Sequence, residues 1–142
     1  MWKSICLIGY LAILSIYDIR TRKVPISCIL AGGAAAVANI VYLCMEHGFW
    51  ESLLELLKSV GPGILMLIIA KFSGKTGYGD GAVLLVAGAV MGSIRGVTAF
   101  MLSIMIAALV SGILLVLGKV SRNDQLPFVP FLAISTLITV SV

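Results

Sequence analysis

Long runs of apolar residues make up most of this chain, and the polar positions that interrupt them are short and regularly spaced. The first run covers about Trp2 to Tyr17 and the second about Pro25 to Met45. Both come near the ~20 mostly apolar residues that a membrane-crossing helix needs. Pro25 suits a first helical turn, where its missing N–H costs nothing. From Glu46 to Ser59 the pattern changes. Phe49, Trp50, Leu53, Leu54, Leu56 and Leu57 recur between Glu51, Glu55 and Lys58 at helical spacing, which predicts an amphipathic helix lying at an interface. A third span, Val60 to Phe72, is short and can begin inside that amphipathic piece. Span four starts at Gly81 and reaches about Gly92, span five covers about Val97 to Gly118, and span six runs from Pro127 to Val142. The expectation is an all-α fold over residues 1–142, a single integral-membrane domain built as a polytopic bundle of about six transmembrane helices plus the interfacial amphipathic helix.

Composition sharpens this picture. Hydrophobic residues are 61% of the chain and charged residues only 11%, against about a quarter charged in an ordinary soluble domain. The net charge of +4 does not point to nucleic acid, because the basic residues are scattered through short loops without aromatic interleaving. Topology accounts for them. Arg20, Arg22, Lys23, Lys71, Lys75, Lys119 and Arg122, seven of the ten Lys and Arg, follow spans one, three and five. Cytoplasmic loops are enriched in these residues, so the expected arrangement is a multi-pass protein of the cytoplasmic (inner) membrane with both termini extracytoplasmic. Lys3 and the apolar stretch behind it mimic a signal peptide, but no small-x-small cleavage site precedes Asp18, so the stretch is expected to remain as span one. Cys6, Cys28 and Cys44 fall inside apolar runs and read as small packing residues.

Asp18 and Asp80 stand directly at span ends on the basic side. Carboxylates at membrane helix ends are costly to keep without a function, and two of them with one water can hydrolyse a peptide bond. Asp80 also reads as a plain helix N-cap, and Asp18 as a loop charge paired with the nearby arginines. The dipoles of span one, ending at Asp18, and span four, starting at Asp80, suggest Asp18 as general acid and Asp80 as the base that activates water. Gly77 and Gly79 flank Tyr78 just before Asp80, and their missing side chains would let an extended substrate backbone approach. Pro127, Phe128 and Pro130 stand at the entrance of span six, where a kinked start leaves backbone carbonyls free to line a polar cavity. These five are the candidate substrate-binding residues.

Other features carry no chemistry. Ser73-Gly74-Lys75-Thr76 resembles the end of a phosphate-binding loop, but Ile69 stands where that motif needs its first glycine. His47 has no second His or Cys at ligand spacing, and no metal or other cofactor is expected. Gly88, Gly92 and Gly96 recur at intervals of four, a packing pattern for close helix approach.

Asp18 with Val24-Pro25, then Gly77-Tyr78-Gly79-Asp80, then Pro127-Phe128-Val129-Pro130-Phe131-Leu132-Ala133 form an ordered set. It is similar to the type IV prepilin peptidases, intramembrane aspartic peptidases of the GxGD type, over essentially the whole chain. The resemblance implies removal of the short basic leader from type IV prepilin-like precursors at the cytoplasmic face, after a glycine bordering the precursor's hydrophobic helix, with Asp18 and Asp80 as the catalytic pair. Two positions depart from the family pattern: Ile26 replaces an asparagine, and Ala82 replaces a lysine whose charge Lys71 or Lys75 would have to supply. Larger members carry a methyltransferase portion and a cysteine-rich insertion, so a compact peptidase-only enzyme is expected. Its partners would be prepilin-like proteins and membrane lipid. The alternatives are a preflagellin-type peptidase of the same family and, from another class, a small proton-coupled transporter.

Overall fold

A computed structural model describes residues 2–21, 24–73, 78–119 and 127–141. They form six α-helices and no strand: α1 (Trp2–Thr21), α2 (Ile26–His47), α3 (Phe49–Ser73), α4 (Tyr78–Met91), α5 (Ser93–Val116) and α6 (Val129–Ser141). By length and apolar character α1, α2, α3 and α5 can each cross a membrane, while α4 and α6 are shorter apolar helices. Pro25 stands just before α2 with φ −67° and ψ 136°. Gly48 and Gly92, at the α2–α3 and α4–α5 junctions, have φ of 87° and 83°. L side chains resist that left-handed backbone, which is why glycine ends these helices.

α4 is the hub and touches all five other helices. Its residues from Gly81 to Met91 include no charge, as expected of a helix with neighbours on every side. It meets α3 antiparallel, in a register fixed by close backbone approach. A methyl group placed on Gly81 would lie 2.7 Å from Leu67, one on Gly63 would lie 2.7 Å from Leu85, and one on Gly88 would fall on the Ser59 carbonyl oxygen. Gly96 of α5 closes on the same spot, its would-be Cβ 3.2 Å from the Gly88 Cα and 3.9 Å from the Ser59 carbonyl oxygen. The glycines at 88 and 96 therefore do the packing the sequence assigns them.

The amphipathic segment and span three are one continuous helix rather than two elements. The Gly61-Pro62-Gly63 stretch near the junction does not interrupt it, and the backbone runs helical through Pro62. The register explains the misleading pattern. α4 ends level with Glu55, whose carboxylate oxygen would lie 3.2 Å from a methyl group on Gly92. The turns before Glu55 extend past α4 and leave Phe49 and Trp50 64% and 74% exposed.

One core ties the helices together: Leu7, Leu11 and Leu14 of α1, Val83, Leu84 and Ala87 of α4, Phe100 of α5, and Val129 and Leu132 of α6, with Phe128 just before it. The α1 residues recur at intervals of four and three, a single buried stripe. The next position on that stripe is Asp18.

Candidate active site

Position on this stripe buries a carboxylate. Asp18 is 4% exposed, one turn from the C-terminal end of α1. Its Oδ2 accepts a hydrogen bond from the Val129 N–H at 3.2 Å. Val129 is the first residue of α6, so this N–H is one of the donors that a helix start cannot satisfy internally. Pro127 and Pro130 fit the same local logic. Pro127 ends the approach to α6, and Pro130 sits in its first turn, where its missing N–H breaks no intrahelical bond.

Asp80 comes from the first turn of α4 and is partly buried. It lies near enough to Asp18 for the charge of one carboxylate to act on the other. Residues 62 positions apart are thus brought to one site at one end of the bundle, which requires α1 and α4 to run antiparallel. The parity of spans in the sequence demanded that arrangement. A third helix terminus also converges here, since α6 points its N-terminus at Asp18. The dipoles of α1 and α4 alone therefore do not set which carboxylate acts as acid and which as base.

The remaining sequence candidates divide. Gly77 lies outside the described residues. Gly79 is packed rather than open: a methyl group there would come 3.0 Å from the Cβ of Val24, so its bareness lets the segment before α2 approach α4. Phe128 is buried in the core cluster, and its carbonyl accepts hydrogen bonds from Phe131 N–H (3.1 Å) and Leu132 N–H (3.2 Å). The span-six entrance thus presents an N–H to the site, where the sequence suggested free carbonyls. Ala82 is partly buried in α4 and Lys71 is exposed in the last turn of α3. Among the described residues no ion pair joins Lys71 to either aspartate, and Lys75 lies outside them. No group of three or more His, Cys, Asp or Glu side chains suited to a metal occurs among the described residues.

The model of the type IV leader peptidase family matches residues 5–117, most of the chain and both aspartates. The chain belongs to that family. Membership makes it a peptidase, and with its long apolar helices a membrane protein. The matched stretch of the leader peptidase stops before α6, the helix that donates to Asp18. No curated protein and no solved structure matches the chain significantly.

Proposed function

We propose that this leader peptidase is an aspartic endopeptidase. It removes the short basic leader of type IV prepilin-like precursors at the cytoplasmic face of the inner membrane. The observation that carries the reading is the meeting of Asp18 and Asp80, two carboxylates from opposite-running helices within electrostatic reach of each other. Two carboxyl groups that act on each other resist ionising together, so the reading gives the pair one shared proton.

The chemistry needs nothing more from the chain. The ionised carboxylate takes a proton from a water held between the pair, and the water oxygen bonds to the scissile carbonyl carbon. The protonated partner gives its proton to the carbonyl oxygen, forming a tetrahedral diol. As the C–N bond breaks, a proton passes to the leaving nitrogen, and the collapse yields a carboxylic acid and an amine with the dyad restored. Val129 N–H fixes the Asp18 carboxylate during these transfers. The basic loop residues on the aspartate side support a cytoplasmic position for that side, with both termini opposite.

The test is coexpression of candidate prepilin-like and preflagellin-like precursors with the wild type and with Asp18→Asn and Asp80→Asn, followed by mass measurement of the precursor. The expected result is a shortened product with the wild type only. The same spectrum reports whether the new amino terminus is methylated, and for a peptidase-only enzyme it is not. Undiminished leader removal by either Asn variant rules out the dyad. Ion-coupled flux in reconstituted vesicles without any cleavage favours a transporter instead.

A further inference from the structure

α1 and α2 are consecutive in the chain yet meet only sparsely, although both contact α4. Between them runs an apolar groove of about 520 Å³. α1 walls it with Cys6, Leu7 and Tyr10, α2 with Ala31, Ala35 and Ala38, and Val86 and Val90 of α4 form its floor. Two hydrogen bonds bracket it. Near the aspartate end the Tyr10 hydroxyl donates to the Cys28 carbonyl at 3.0 Å. Toward the far end the Asn39 amide donates to the Ala89 carbonyl at 2.9 Å, with Lys3 Nζ 4.0 Å from the centre of the Tyr42 ring at the rim.

We propose that this groove seats the apolar stem helix of the precursor while its leader junction lies at Asp18 and Asp80. The inference rests on the function proposed above, which requires a stem running alongside α1 and α4 from the carboxylates down. A pair of packed helices leaves a groove on each of its two sides. α6 occupies one, against Leu7, Leu11 and Leu14. The α1–α2 gap is the other.

Register agrees. At ~1.5 Å per residue, Tyr10 lies about 12 Å along α1 from Asp18, and Val86 and Val90 lie about 9 and 15 Å along α4 from Asp80. The groove thus begins about two turns below the dyad on both helices, and a straight helix held there ends near the depth of the carboxylates. The α2 wall is built from alanines, so a helix backbone can come close, as small residues permit between membrane helices. The Tyr10 hydroxyl crosses the gap near the aspartate end. Gly32 makes room for it: a methyl group there would collide with that hydroxyl and lie 2.9 Å from Val86. Seating the stem displaces this one strap.

The test places a photoreactive benzoylphenylalanine at Ala38, and separately at the exposed Leu109 of α5, in full-length protein carrying Asp80→Asn, reconstituted with an intact prepilin-like precursor. The expected adduct joins Ala38 to the precursor's apolar stem, at least tenfold above Leu109. In the active enzyme Ala38→Trp raises KM for that precursor at least tenfold with kcat little changed, and Leu109→Trp moves neither. An Ala38 adduct with lipid only, or equal labelling from Leu109, overturns the groove while wild-type cleavage leaves the dyad standing. A wild type that cleaves no precursor removes both.

Discussion

Replacing Gly88 with alanine tests how the fold holds the two carboxylates in place. The added methyl group falls on the Ser59 carbonyl oxygen of α3. That oxygen belongs to a helix backbone and has no rotamer with which to move aside. A carbon normally stands about 3.3–3.6 Å from a carbonyl oxygen, so α4 has to move by on the order of 1 Å. Gly96 of α5 packs at the same contact, so α3, α4 and α5 have to adjust together. Overpacking of this kind costs about 1–3 kcal/mol. A displacement near 1 Å, carried along a stiff helix to Asp80, costs about 100-fold in rate when reacting groups must align. The measurements are thermal unfolding in detergent and leader-cleavage kinetics, with Gly112→Ala as the control. Gly112 lies in α5, with nothing within 4 Å of the position its methyl group would take, so that change gains about 0.5–1 kcal/mol of helix propensity. If Gly88→Ala behaves like Gly112→Ala in both assays, the close α3–α4 contact does not position the site.

Val129→Pro removes the N–H that Asp18 accepts at a position where a helix start tolerates proline. A hydrogen bond to a charged group is worth about 1.5–3 kcal/mol, so kcat should fall about 10- to 150-fold with KM little changed. Val129→Ala keeps the donor, and its loss in kcat should be clearly smaller. Leu11→Ala, at a fully buried position of the α1 stripe, should lower stability by about 2–5 kcal/mol in an equilibrium unfolding titration. Tyr10→Phe breaks the strap to Cys28 and should cost about 0.5–1.5 kcal/mol in the same measurement.

The aspartate pair was legible in the sequence because membrane topology is a matter of parity. Counting spans between Asp18 and Asp80, with basic loops as markers, places both at one end without any knowledge of packing. The Asp18–Val129 bond was not legible, although the proline motif around it stood out. A backbone N–H has no side-chain signature, and which helix start faces which carboxylate depends on packing. Gly79 misled for a related reason. A missing side chain shows that something comes close, and here it is Val24 rather than open space for a substrate. The division of α3 into a flat amphipathic helix and a short span failed on geometry. Charged and apolar residues at helical spacing look the same in a helix lying on a surface and in the overhanging end of a longer one.

The lengths of the helices also constrain what the site can cleave. With 14 residues α4 spans about 21 Å, and α6 with 13 spans about 20 Å, against ~30 Å for the hydrocarbon core. Extending the α3–α4 register upward from Gly81 opposite Leu67 sets Tyr78 level with about Ala70, so α3 continues to Ser73 beyond the start of α4. α1 likewise continues from Asp18 to Thr21. The two carboxylates and the start of α6 therefore lie about one turn inside the rim formed by the longer helices. A peptide bond reaches that depth only as extended chain, because a helical carbonyl is already hydrogen-bonded and shielded by side chains. On the proposed function, carboxylates one turn inside that rim are reached by the first unwound residues at the end of a membrane helix and not by bonds in its middle. For hydrolysis at Asp18 and Asp80, the site of cutting is thus set by how far the substrate's apolar helix extends before polar residues let it unwind.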